Sequence, residues 1–219
     1  SKLESAKKEV QPEWHEVDLK NLERMYNEAE RIDYPNPTRK IVIGDSHSIC
    51  MYRPGWTVNS VPFKTLNGAI NDGFDKYIPF DYEEIECYFG NIDIRHHVIR
   101  LGQKIEDLAD RYIEEANKYN AKIYELLPIE DVSRRIPQSG YYKGQPFYGS
   151  WSERNDARNK FNDYIEKEYG IKRWTGHLFN KEGKLDFKYM EKPQSIHLSR
   201  EFYPYWNGIE AAGLEEFFA

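Results

Sequence analysis

Cysteine is scarce in this chain. Only Cys50 and Cys87 occur in 219 residues, and neither has a partner at CxxC spacing. A cysteine-built zinc site is excluded, a disulfide framework is not expected, and a reducing cytoplasm is the simplest compartment. Long apolar runs are also missing. No stretch approaches the ~20 apolar residues that span a bilayer, so no membrane association is expected. The opening SKLESAKKEVQPEW lacks the apolar segment of a secretion signal. Positive charge is not in excess: the net charge is −6, which argues against wrapping duplex nucleic acid. The pair Arg134-Arg135 is too short to reverse that balance and reads as a solvated loop. Low-complexity segments and internal repeats are absent as well.

What remains is a polar globular composition, 39% apolar and 31% charged, with aromatics at 15%. Much of the core is therefore expected to be aromatic. Residues 1–17 are charged and without periodicity and read as a tail. Leu19, Leu22, Met25, Tyr26, Ala29 and Ile32 share one helical face, which predicts a helix over 18–33. Pro35 and Pro37 end it. Lys40-Ile41-Val42-Ile43-Gly44-Asp45 is a β-branched run stopped by glycine, a buried strand. Residues 51–82 have no clear period and leave room for one weak strand or helix. Ile85–Phe89 predicts the next strand, the 101–119 pattern an amphipathic helix, Lys122–Leu127 a third strand and 152–169 a second helix. Glycines and a hairpin are expected in 170–190.

Apolar strands alternating with helices imply an α/β fold with a parallel central sheet of about five strands. One domain is expected over 18–219, its core at about 38–210, with the 18–33 helix added outside.

In such a sheet, ligands bind beyond the carboxyl ends of the strands. The first strand delivers Gly44-Asp45-Ser46-His47-Ser48 there. The second delivers Gly90-Asn91-Ile92-Asp93-Ile94-Arg95-His96-His97. A late segment adds Ser195-Ile196-His197-Leu198-Ser199. A hydroxyl, a carboxamide and an imidazole from distant stretches reach one rim, and acyl transfer needs that set of groups. Other readings of the same residues stand beside this one. Asp45 also suits a cap bracing the loop. Asn91 also suits a turn, and Tyr141, Tyr142 and Trp151 suit packing as well as a pocket.

These blocks resemble those of SGNH/GDSL hydrolases. IVIGDSHS is similar to the first block, in which a strand ends at Gly-Asp-Ser. YFGNIDIR falls at the third, Gly-x-Asn-Asp, and QSIHLS at the last, Asp-x-x-His. Gly68 is the candidate for the glycine of the second block. The order fits over residues 40–205. The resemblance implies a three-layer α/β/α, flavodoxin-like (SGNH-type) domain. It implies an esterase or acyl transferase, including deacetylation of a carbohydrate or small molecule, with no cofactor and no metal. By that pattern Ser46 is the nucleophile and His197 the general base. The oxyanion is held by the backbone N–H groups of Ser46 and Gly68 and by the Asn91 amide. Asp45, His47, Arg95 and His97 are expected to contact substrate, with Arg95 gripping an anionic part in bidentate fashion.

Two departures from the pattern are visible. Asn91 stands one place early, and Ile92 occupies its usual position. Gln194 replaces the aspartate that orients the histidine, which leaves Asp93, Asp186 and Glu191 as substitutes. Two other readings compete. Asp45-Ser46-His47 and Gly90-Asn91 resemble parts of metallophosphoesterase motifs, with His177 and His197 as further ligands, but the intermediate Gly-Asp-x-x-Asp is absent. A non-catalytic binding module on the same scaffold is the third.

Overall fold

A computed structural model describes residues 39–78, 81–130, 143–145, 148–191 and 197–205. The tail 1–17, the helix expected at 18–33, Arg134-Arg135, Tyr141-Tyr142 and Gln194 lie outside these residues.

Among the described residues four parallel strands form one sheet: β1 (Lys40–Asp45), β2 (Thr57–Val61), β3 (Glu84–Tyr88) and β4 (Lys122–Ile123), in the order β2-β1-β3-β4. Helices α1 (Leu66–Asp72), α2 (Ile105–Asn117) and α3 (Trp151–Glu168) complete a three-layer α/β/α arrangement. β1 and β3 are the interior strands. Ile41, Val42, Ile43, Cys87 and Tyr88 are wholly buried, as expected of interior strands covered on both faces.

Gly44 is a steric requirement of this centre. A Cβ there would stand 2.4 Å from the Tyr88 carbonyl oxygen and 2.5 Å from Ser48 Cβ. Glycine lets the end of β1 lie against β3 while the next turn folds back over both.

α2 is helical for the reason its sequence states: Leu108, Ala109, Tyr112 and Ala116 recur on one face and are buried. α3 opens with a reciprocal cap. The Ser150 hydroxyl accepts from Glu153 N, and the Glu153 carboxylate accepts from Ser150 N. Its buried face is unusual in carrying Arg154, Arg158 and Asn162 beside Ala157, Phe161 and Ile165.

Those polar residues explain where the expected third strand stops. It was read as Lys122–Leu127 but is a regular strand only at Lys122–Ile123. Beyond it, side chains take the place of a neighbouring strand. Leu126 N donates to Asn162 Oδ1 and Leu127 N to Asn91 Oδ1, while Arg158 donates to the Leu126 and Leu127 carbonyls. The backbone groups are satisfied without a ladder, as burial demands. Against the expected sheet of about five strands, the described residues form four, with Lys172 adding an isolated parallel bridge to Tyr124. β2 and α1 both fall in the stretch 51–82, where no period is visible. The hairpin expected in 170–190 is present as a single antiparallel bridge, Phe179 to Leu185.

Candidate active site

From β1 the chain goes to β2 on one side and then to β3 on the other. The reversal falls at the carboxyl ends of β1 and β3, the position where open α/β sheets bind ligands. Ser46 is the first residue after β1, so it stands at that switch point.

Asp45 shapes the turn that presents it. Its Oδ1 accepts from His47 N at 2.9 Å and from His47 Nδ1 at 3.0 Å, capping the turn Ser46–Met51. Its main-chain carbonyl accepts from the Ser48 and Ser60 hydroxyls at 2.7 and 3.0 Å. Asp45 is wholly buried and His47 is 3% exposed. The expectation that these two touch substrate is therefore corrected: both are part of the turn's interior. Burial holds the His47 ring well below the usual imidazole value, at about 4, despite the Asp45 carboxylate beside it.

His197 arrives from the far end of the chain. Met190 and Leu198 form an antiparallel bridge, with Glu191 N donating to the His197 carbonyl at 3.0 Å and Ser199 N to the Tyr189 carbonyl at 2.8 Å. This short ladder sets His197 beside Ser46. Its Nε2 lies 3.0 Å from Ser46 Oγ, across 151 positions of sequence. Its Nδ1 lies 3.5 Å from Glu191 Oε1. Of the three acids named as substitutes for the missing aspartate, Glu191 is the one beside the ring. Nδ1 faces a carboxylate and so carries the ring proton, which leaves Nε2 to accept from Ser46.

The other residues named from sequence have different surroundings. The Asp93 oxygens accept from Leu66 N (2.6 Å), Asn67 N (3.2 Å) and Asn67 Nδ2 (3.2 Å), so this carboxylate caps α1 from across the rim and does not orient His197. Burial pushes its pKa up to about 6 against those hydrogen bonds. Gly68 N donates to Thr65 Oγ1 at 3.0 Å, the N-cap bond of α1, so it is not a free oxyanion donor. Asn91 is wholly buried. Its Oδ1 accepts from Leu127 N and Arg95 Nη1, both at 3.2 Å, bracing the β3 turn against the segment after β4, while its Nδ2, the expected oxyanion donor, is buried with no hydrogen-bond partner among the described residues.

Arg95 is the clearest correction. It is 1% exposed, and its guanidinium donates to Glu130 Oε2 (2.9 Å), the Pro128 carbonyl (2.7 Å) and Asn91 Oδ1. It holds the core together and does not grip a ligand. His97 stays half-buried at the end of a widened turn, closed by Val98 N to the Asp93 carbonyl at 2.9 Å. Burial lowers its pKa, with Arg100 adding to the effect.

The metal reading finds no constellation. Among the described residues no group of three or more His, Cys, Asp or Glu side chains converges as ligands, and His177 is exposed against Tyr189. Nor, among the described residues, is any helix long and apolar enough to cross a membrane.

One residue escaped sequence reasoning. Phe63, in the loop from β2 to α1, has φ of +60°, a backbone conformation that costs a β-carbon-bearing residue roughly 1–2 kcal/mol. It is 45% exposed. Nothing in its identity signals this, because glycine or asparagine is the residue expected there.

No protein-family model matches the chain, and no curated protein matches it in sequence. Solved structures do. A protein provisionally named a platelet activating factor, from Streptococcus pneumonia, superposes with a TM-score of 0.54 at 14% identity, over 92% of this chain and 94% of its own. A provisionally named acylhydrolase from Bacteroides fragilis gives 0.54 at 13%, over 90% and 97%. A GDSL-like lipase from Bacteroides thetaiotaomicron gives 0.53 at 14%, also over 90% and 97%. At such identities the likeness is one of fold: this chain has the SGNH/GDSL-type α/β/α fold.

Proposed function

We propose that this chain, built on the fold of GDSL-like lipases, is an ester hydrolase or acyl transferase that works through Ser46 and His197. The observation that carries the reading is the 3.0 Å separation of Ser46 Oγ and His197 Nε2 at the switch point of the sheet. Nucleophile and base are within proton-transfer distance, and an acid lies behind the base.

In this mechanism Ser46 Oγ attacks the acyl carbon as its proton passes to His197 Nε2. Glu191 steadies the resulting imidazolium. The tetrahedral oxyanion is met by the backbone N–H of Ser46. Collapse breaks the C–O bond, His197 returns its proton to the leaving alcohol, and the acyl group stays on Ser46. Water or an acceptor alcohol then gives its proton to His197 and takes the acyl group, freeing the serine. An acylated carbohydrate or other small molecule is the proposed substrate.

A fluorophosphonate probe tests this directly. Wild-type protein should be labelled on Ser46, and Ser46→Ala should abolish labelling and lower turnover of acetyl esters by at least about 10³-fold. Near-normal turnover by that variant eliminates the serine mechanism. A folded wild-type chain that neither labels nor turns over is a binding module on the same scaffold.

A further inference from the structure

The turn that carries Ser46 holds a second histidine for which the mechanism above has no use. His47 is 3% exposed, and its ring is anchored by Nδ1 to Asp45 Oδ1 at 3.0 Å. Because Nδ1 faces a carboxylate oxygen, it carries the ring proton, and Nε2 bears a lone pair. That Nε2 is buried and has no hydrogen-bond partner among the described residues. A buried imidazole nitrogen without a partner normally costs stability, so its retention needs a reason.

The ring lies 5.0 Å from that of His197. The rings of His47 and His197 meet in a T-shaped contact, inclined at 69°. His197 sits on a two-residue ladder, and its Glu191 contact is at 3.5 Å with the carboxylate side chain 45% exposed. An exposed pair at that distance fixes a ring poorly.

We propose that His47 is a positioning residue for His197: a buried, uncharged imidazole, locked by Asp45, that keeps Nε2 of His197 aimed at Ser46 and meets the imidazolium formed on proton transfer. This inference rests on the Ser46–His197 reading and deepens it. The charged and titratable groups facing His47 are Asp45 on its own turn, His197 from the C-terminal ladder and Arg95 from the turn after β3. Burial, with His197 and Arg95 adding to it, keeps the ring neutral at neutral pH. A neutral ring with an electron-rich face and a free lone pair favours a neighbouring cation, whereas a charged one would repel it.

The test uses the full chain carrying His47→Asn. The asparagine amide nitrogen replaces Nδ1 as donor to Asp45, while the ring and Nε2 are lost. Two readouts are needed: the rate of Ser46 phosphonylation as a function of pH, and the pKa of His197 followed by NMR of labelled histidine. The variant should label about tenfold more slowly at neutral pH, as expected when a reacting group is left less well aimed. His197 should titrate about half a unit lower, a threefold loss of proton affinity. A labelling rate within about twofold of wild type with an unmoved His197 titration overturns the proposal; a merely structural role for His47 does not predict the titration shift. His47→Gln is read in the same way if His47→Asn does not fold. If wild-type protein fails to label, the serine reading falls, and the NMR titration still decides whether His47 sets the state of His197.

Discussion

The two turns that leave β1 and β3 reach the same rim, and both are rich in residues that enzymes use. Their fates are opposite. The β1 turn presents Ser46 at the rim, where its hydroxyl meets an imidazole from the far end of the chain. The β3 turn directs Asn91, Asp93 and Arg95 inward, where they bond to Leu127, to α1 and to Glu130. A polar residue at the carboxyl end of a strand is thus available for chemistry only when the fold has not already claimed its donors and acceptors. Arg95 shows the limit most clearly: a guanidinium whose hydrogen bonds are filled by a buried carboxylate, a carbonyl and an amide has nothing to offer a ligand.

The comparison is sharpened most by Arg95→Ala. It leaves Glu130, itself wholly buried, short of its main partner. The loss of stability should be about 3–5 kcal/mol, as for other broken buried pairs, measured by urea unfolding. A variant that keeps full stability but turns over anionic esters selectively worse would return Arg95 to the substrate side.

The second test uses pH. His47, held at about 4, refuses a proton that the unfolded chain accepts near 6.5, so its contribution to stability is full above that value and falls away as pH drops toward 4. Asp93, raised to about 6, does the reverse: its contribution is full below the ordinary carboxyl value and is lost as pH rises through 6. Each is worth about 3 kcal/mol, and they offset one another between pH 4 and 6. Asp93→Asn should remove one side of that balance. Relative to wild type, the variant should become less stable by about 3 kcal/mol on going from pH 6 to pH 4, read from unfolding curves at each pH. Parallel pH profiles for the two proteins would mean that Asp93 titrates normally.

The smallest effect belongs to Glu191→Gln. In a tight catalytic triad the corresponding change costs about 10⁴-fold. Here the contact is 3.5 Å and half open to solvent, so about a tenfold fall in the Ser46 labelling rate is expected. A thousandfold fall would show that the contact tightens when substrate is bound, and no change would assign the orienting role to another group.

How much of this was visible in the residues alone follows from where the forces act. β1 was legible in full because an unbroken β-branched run ending in glycine has few other uses. β2, Thr57-Val58-Asn59-Ser60-Val61, was not, because a polar edge strand looks like a loop. β4 was read too long, since the residues that take over its hydrogen bonds, Asn91, Arg158 and Asn162, lie far away in sequence. Ser46 and His197 could be named from their motif blocks and from position at the rim. Glu191 could be named only as one of three acids, because its place beside His197 comes from a two-residue ladder with no periodic signature. The burial of Arg95 and the left-handed backbone of Phe63 leave no mark in local composition at all.

The ladder between Met190 and Leu198 divides the candidate site between two mechanical regimes. The serine follows directly on β1, an interior strand of the sheet. Among the described residues, the histidine is tied in by one antiparallel bridge with two backbone hydrogen bonds, beside the buried side chains of Met190 and Leu198. Opening such a local bridge costs less than unfolding the sheet. The fold can therefore stay intact while its reactive pair comes apart, and amide exchange at Glu191 and Ser199 should run ahead of exchange in β1.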